Sequence, residues 1–222
     1  MSDLIVSTIH PILQGEGTNA GVPMLMVRLA GCKLGCSYCD QPDAQTGGTY
    51  LSVESLAQTI KSYNLPWLDI SGGEPLLQAE GINLLLNELF LIGFYPWVEI
   101  ETSGVYPPPV WADRVAKWVV DNKCPSSGIS SKISNWTKVP CDVKFVVGTE
   151  QDLDFAKNNK VEGKVNLLSP VIFYVKNWGG SILISSKQAR WNQRVSNFAL
   201  EHDFRFSLQL HKIIWGMERQ DK

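Results

Sequence analysis

Five times along the chain an apolar run ends in a polar cluster, and this repetition constrains the fold more than any other feature. SGGEP follows WLDI, ETSG follows WVEI, DNK follows WVV, SPV follows VNLL, and QLHK closes FRFSLQL. Residues 24–30, 67–71, 97–101, 117–121, 142–147, 164–169 and 204–210 read as strands, and residues 52–63, 75–92, 151–159 and 186–202 carry helical periodicity. Such alternation predicts an α/β fold with a parallel sheet and right-handed crossovers. Parallel strands bring their C-terminal ends to one face, where α/β proteins assemble their sites. Six or so βα units fall short of a closed eightfold barrel, so a partial (β/α)6-type open barrel is expected. Residues 105–116, with Pro107, Pro108 and Pro109, and residues 124–140 read as loops or short irregular helices. No linker or internal repeat divides the sequence, so 1–222 reads as a single domain. The polar ends on one face already imply an enzyme or a ligand binder.

Charge and hydropathy exclude several partners. Twenty Lys and Arg stand against 22 Asp and Glu, a formal net charge of −2, which gives no support for nucleic-acid binding. The most apolar stretch, INLLLNELFLIGFYPW, contains Asn83, Asn87 and Glu88 and reads as a buried helix, so no membrane span is expected. MSDLIVSTIHPILQGEG lacks the basic start and long apolar run of a secretory signal, so a cytoplasmic location follows. In that reducing setting, five cysteines favour a metal site or redox chemistry over disulfides.

Cys32, Cys36 and Cys39 form one cluster in GCKLGCSYCD. A structural zinc site usually takes two paired clusters, and no second pair accompanies this one; Cys124 and Cys141 lie in separate segments and read as small packing residues. Three thiolates suit an iron–sulfur cubane with one iron left open. The spacing also admits a zinc site completed by a distant His, or incidental proximity.

CxxxCxxC with Tyr38 before the last cysteine, followed by SGGEP at 71–75, resembles the radical S-adenosylmethionine superfamily. The resemblance implies a 4Fe-4S cluster on Cys32, Cys36 and Cys39, with S-adenosylmethionine chelated at the open iron. Gly72 and Gly73 would allow close backbone approach to the cosubstrate's ammonium, and the protein would orient the target hydrogen toward the radical formed.

The flanks narrow this further. QGEG at 14–17, Arg28 on the next strand, EIETSG at 99–104, DNKCPSSG at 121–128, KFVVG at 144–148, LLSPV at 167–171 and LQLHK at 208–212 resemble, in order, segments of the 7-carboxy-7-deazaguanine synthases. That family contracts the ring of 6-carboxy-5,6,7,8-tetrahydropterin with loss of ammonia, an early step toward queuosine and related deazapurines. It is a lyase chemistry in which magnesium binds substrate oxygens. The resemblance implies substrate contacts from Leu13, Gln14, Gly15, Glu16, Arg28, Ser71 and His211. It implies S-adenosylmethionine contacts from Tyr38, Asp40, Gly72, Gly73, Glu74, Glu101, Thr102, Ser103, Lys123 and Ser169. It further implies a homodimer and a flavodoxin or ferredoxin as electron donor.

Each residue also has a plainer reading. Arg28 lies on an apolar strand and needs a partner; its planar fork suits a substrate carboxylate, and the alternative is an internal ion pair with Glu16 or Glu101. Gln14 and Glu16 match a pterin edge but also suit a turn. His211 ends an apolar run, where a packed histidine is common, and Glu101 could satisfy backbone donors.

Two departures stand out. Where the family commonly has Asp followed by Thr or Ser, this chain has Asp40-Gln41; the Gln41 carbonyl is a hard oxygen able to ligate magnesium, on a longer stem. The chain also continues through IIWGMERQDK to Lys222, so a terminal carboxylate near the substrate is not expected. CSYCDQPDA additionally resembles glycyl-radical-enzyme activating enzymes, which lack the QGEG lead-in and the closing Gln-x-His-Lys. A non-catalytic, metal-stabilised binding module of the same fold is the remaining alternative.

Overall fold

A computed structural model describes residues 3–129, 133–172 and 185–215. Its nine strands are β1 (Asp3–Leu13), β2 (Pro23–Leu29), β3 (Thr49–Ser52), β4 (Trp67–Gly72), β5 (Trp97–Thr102), β6 (Lys117–Asp121), β7 (Asp142–Val147), β8 (Val165–Pro170) and β9 (Arg205–Phe206). They form one sheet in the order β3-β1-β2-β4-β5-β6-β7-β8-β9. From β2 to β9 every neighbouring pair is parallel. Six full parallel strands and the two-residue β9 make the expected open barrel.

The sheet is mixed rather than wholly parallel, because β1 pairs antiparallel with both β2 and β3. The sequence pattern obscured β1: Pro11 interrupts it, and a register irregularity between Val6 and Thr8 breaks its alternation.

Helices α1 (Val53–Tyr63), α2 (Ala79–Leu91), α3 (Glu150–Asn158) and α4 (Ser186–His202) cover one face of the sheet, and the two regions read as loops or short irregular helices hold short 3-10 turns at 112–114, 125–127 and 134–136. Local chemistry sets their ends. The Ser52 hydroxyl accepts from the Ser55 N–H at 3.1 Å, starting α1, and Asn64 ends it in the left-handed region. Thr149 and Asp152 form a reciprocal capping box on α3. The predicted helix at 75–92 opens as a 3-10 turn, Pro75–Gln78, before α2 proper.

The two-residue period of the strands divides their side chains. Leu68, Ile70, Val98, Ile100, Val120 and Val143 are buried in the apolar layer against the helices. The alternate positions, Arg28, Asp69, Glu99, Glu101, Asp121 and Lys144, occupy the barrel interior and are polar. The inner face is thus built for chemistry, while the outer face holds the fold together. Cys124 and Cys141 belong to the core, as expected.

One expected element changes identity. The predicted strand 204–210 pairs only over Arg205–Phe206, and α5 (Leu210–Trp215) follows. Ser207 N–H still reaches Leu168 O on β8 at 2.9 Å, but beyond it the backbone leaves the sheet, and Leu210 N–H finds its acceptor in Gly15 O at 2.9 Å. The chain turn places His211 and Lys212 on a short helix, not at a strand end.

Candidate active site

A cavity of about 720 Å³ opens at the C-terminal ends of the parallel strands. The polar clusters read from the sequence meet there. Leu13, Gln14, Gly15, Glu16, Arg28, Ser71 and His211 line it, as do Cys32, Cys36, Tyr38, Cys39, Asp40, Gln41, Gly72, Gly73, Glu101, Thr102, Ser103 and Lys123.

The cysteine loop is stitched to its surroundings by backbone bonds. Gly31 N–H reaches Ala44 O at 2.8 Å, Cys32 N–H reaches Gln45 O at 3.2 Å, and Ser37 N–H reaches Ser127 O at 3.0 Å. The SGGEP turn crosses directly beneath, with Gly73 N–H on Leu29 O at 3.0 Å and Glu74 N–H on Gly31 O at 2.8 Å. Gly72 holds φ +141°, and a Cβ there would lie 2.1 Å from Leu29 O, so only glycine permits this approach.

Two predicted contacts lie outside the cavity wall. Glu74 is buried and accepts from Leu76 N–H at 3.0 Å, Thr102 Oγ1 at 2.7 Å, Ser103 N–H at 2.9 Å and the Ser103 hydroxyl. It braces the end of β4 against the end of β5. Ser169 is fully buried on β8 behind the wall, its hydroxyl without a hydrogen-bond partner among the described residues.

A chain of buried polar contacts runs down one side of the cavity. Lys212 Nζ lies 2.6 Å from Asp40 and 2.9 Å from Gln209 Oε1; Gln209 Nε2 donates to Glu16 at 2.6 Å; Lys144 Nζ lies 2.9 Å from Glu16 and 3.7 Å from Glu101. Burial alone would raise the Glu16 pKa, but Lys144, His211 and Gln209 hold it at about 2. Glu16 is therefore an anion at neutral pH. Burial lowers the His211 pKa against the opposing pull of Glu16, so the imidazole is neutral there. Gly15 gives that ring its place: a Cβ on Gly15 would sit 1.9 Å from His211 Nδ1.

Arg28 forms neither of the internal ion pairs considered for it. Among the described residues its guanidinium has one hydrogen bond, from Nη2 to Met26 Sδ at 3.2 Å, and its Nε is buried without a partner. A buried guanidinium in that condition calls for an anionic ligand. Lys123 is paired with Asp121 at 2.5 Å, and among the described residues the buried Tyr38 hydroxyl at the cavity wall has no partner.

Sequence reasoning gave no role to Lys144, Asp69 and Glu99, and none of their own to Asp121 and Gln209, which it read only as parts of DNK and Gln-x-His-Lys. The signal available was positional: each of Lys144, Asp69 and Glu99 interrupts an otherwise apolar strand and must face something polar. Asp69, Glu99 and Glu101 converge with carboxylate oxygens within 4.8 Å of one another on the barrel floor. Gln14 Nε2 donates to Glu99 at 2.5 Å and to Glu101 at 3.2 Å.

The three loop cysteines fit an iron–sulfur cluster. All three thiols are free and line the same cavity, and three thiolates leave one iron of a cubane open to a further ligand. Burial raises the Cys36 pKa against the pull of Lys123, so metal binding must supply the driving force for thiolate formation there.

Comparison with known proteins agrees with this arrangement. A sequence profile of the radical SAM superfamily matches residues 26–122. The 7-carboxy-7-deazaguanine synthase of Methanospirillum hungatei is 36% identical over 217 residues, covering 96% of this chain and 86% of its own. That of Koribacter versatilis is 35% identical over 224 residues, covering 96% and 97%. Among solved structures, QueE from Escherichia coli superposes with a TM-score of 0.69 at 21% identity, covering 94% of this chain and 95% of that one. Native anSMEcpe with bound AdoMet superposes with a TM-score of 0.52 at 15% identity, covering 84% of this chain and 64% of that one. At those identities the two superpositions speak to the fold alone.

Proposed function

The chain belongs to the 7-carboxy-7-deazaguanine synthases of the radical SAM superfamily, and from that premise we propose how its own residues divide the work. The reaction is the ring contraction of 6-carboxy-5,6,7,8-tetrahydropterin to 7-carboxy-7-deazaguanine with loss of ammonia, in deazapurine biosynthesis. Cys32, Cys36 and Cys39 would hold a 4Fe-4S cluster, which when bound and reduced would supply the one-electron chemistry that activates S-adenosylmethionine for hydrogen abstraction.

The protein's contribution is binding, orientation and exclusion of water. Arg28 takes the substrate carboxylate as a bidentate guanidinium pair. Glu16, kept ionised by Lys144, accepts hydrogen bonds from the amino and ring N–H edge of the pterin. Gln14 and neutral His211 complete that edge, with the Leu13 and Gly15 backbone and Ser71 beside them. Gly72, Gly73, Tyr38, Ser103 and Lys123 form the opposite wall, against the cosubstrate. Glu101, which also lines the cavity, would accept a hydrogen bond from the cosubstrate's ribose. Asp40, held by Lys212, fixes the end of the cysteine loop, and Gln41 beside it offers its carbonyl to magnesium. Glu74 and Ser169 act behind the wall as positioning residues.

One observation carries this reading: a single cavity holds the three thiols, the tight Gly72-Gly73 approach and a buried, unsatisfied Arg28. Anaerobic reconstitution with iron and sulfide, then reduction and addition of S-adenosylmethionine and the carboxy-tetrahydropterin, tests it. Formation of 7-carboxy-7-deazaguanine is expected; an intact cluster that cleaves S-adenosylmethionine without yielding that product refutes the substrate assignment.

Residues 1–222 act as a single domain in this reading. A flavodoxin or ferredoxin supplies the electron, the protein works as a homodimer, and the cytoplasm is its compartment. Among the described residues no helix is long and apolar enough to cross a membrane.

A further inference from the structure

We propose that Asp69, Glu99 and Glu101 form a divalent-cation site on the floor of the barrel, separate from the Gln41 position on the cysteine loop. The three carboxylates come from adjacent strands. Asp69 is paired in register with Glu99, and Glu101 stands one inward-facing position further along β5. Each contributes an oxygen to a group within 4.8 Å, a spacing that small shifts of the side chains would close around one ion.

A second observation points to a ligand. Asp69 is 0% exposed, and among the described residues neither of its carboxylate oxygens has a hydrogen-bond partner. A buried carboxylate left in that state costs several kcal/mol unless something meets it. The neighbouring cations do not meet Asp69 directly. Lys144 is 2.9 Å from Glu16 and 3.7 Å from Glu101, Lys117 is 2.6 Å from Asp142, and the Arg28 Nη2 contacts the Met26 sulfur. Among the described residues no ion pair reaches Asp69 or Glu99.

The surroundings resemble the outer layer of a metal site. Gln14 Nε2 and Asn19 Nδ2 each donate to one oxygen of Glu99, at 2.5 and 2.6 Å, fixing its plane while leaving each oxygen a further lone pair. Three carboxylates and no nitrogen or sulfur donor select a hard cation, magnesium or manganese, over zinc or iron. Glu101 alone of the three also lines the cavity. A cation on the floor therefore sets the position and charge of a side chain that the substrate or cosubstrate meets.

Manganese titration followed by electron paramagnetic resonance tests this on the full-length, cluster-loaded protein in its oxidised, anaerobic state. The wild type is expected to bind one tightly held Mn²⁺ at this site, displaced by Mg²⁺. Gln41→Ala should retain it, while Asp69→Asn and Glu99→Gln should weaken it by at least about tenfold. Melting temperatures give a second readout: Mn²⁺ should raise that of the wild type and of Gln41→Ala, but not that of Asp69→Asn. Wild-type affinity and melting response in Asp69→Asn would overturn the site. Loss confined to Gln41→Ala would assign the ion to the cysteine loop instead. A wild type that binds no Mn²⁺ would mean that the carboxylates share protons, and would equally overturn it. If Asp69→Asn does not fold, Glu99→Gln supplies the same comparison.

Discussion

The ammonium of Lys212, on α5, lies 2.6 Å from the carboxylate of Asp40, the residue after the last cluster cysteine. Two segments 172 positions apart in sequence are thereby fastened at the cavity, and through Gln209 the same lysine supports Glu16. Replacing Lys212 with Met keeps the length of the stem and removes both bonds. We expect a stability loss of about 1–2 kcal/mol, read by urea unfolding. KM for the pterin should rise severalfold with kcat less affected; an unchanged KM would confine Lys212 to structure.

Glu16→Gln leaves the buried Lys144 ammonium without its 2.9 Å partner. The expected cost at pH 7 is on the order of 3 kcal/mol. Because the folded state holds the Glu16 pKa at about 2, against an ordinary value of 4.5, its stabilisation is complete above 4.5 and fades as pH falls toward 2. Denaturation midpoints of the two proteins should therefore diverge at neutral pH and converge in acid.

Glu99 has the opposite sign. Burial first, then the charge of Glu101, raises its pKa from 4.5 to about 7. The native state binds the extra proton, so destabilisation sets in as pH rises through 4.5 and is complete above about 7. With chelator present, Glu99→Gln should flatten the fall in stability between pH 5 and 8, by on the order of 3 kcal/mol. Parallel pH profiles for the two proteins would refute this.

Arg28→Lys preserves charge but not the planar fork. Affinity of the cluster-loaded protein for the carboxylated pterin should fall about 10- to 100-fold, equivalent to about 1.4–2.8 kcal/mol. Calorimetric titration measures this, and an unchanged melting temperature would separate it from unfolding.

Substituting Ala for Cys32, Cys36 or Cys39 should bring bound iron and sulfide from roughly four of each per chain to near zero. The same change at the core residues Cys124 and Cys141 should leave cluster content intact. Iron and acid-labile sulfide assays decide both.

Much of this site was legible because its side chains stand where strand periodicity and turn chemistry put them. The apolar runs gave β2 and β4 to β8, and the polar cluster after each named a piece of the rim. β1 was obscured by Pro11 and its irregular register. Residues 204–210 alternate as a strand does, yet the backbone of Leu210 bonds to Gly15, almost two hundred positions earlier. No local pattern encodes that acceptor. Lys144 was visible as a charge inside KFVV, but its partner Glu16 lies 128 positions away. Glu74 shows the converse: its place beside two glycines suggested ligand contact, whereas Thr102 and Ser103 claim both of its oxygens.

The bond from Leu210 to the Gly15 carbonyl also bears on how the polypeptide is made. The thiol loop and the glycine turn are translated well before the segment that locks QGEG in place. Until Leu210 has been made, the Gly15 carbonyl lacks this anchor, so the Glu16 side of the cavity closes later in synthesis than its cysteine loop.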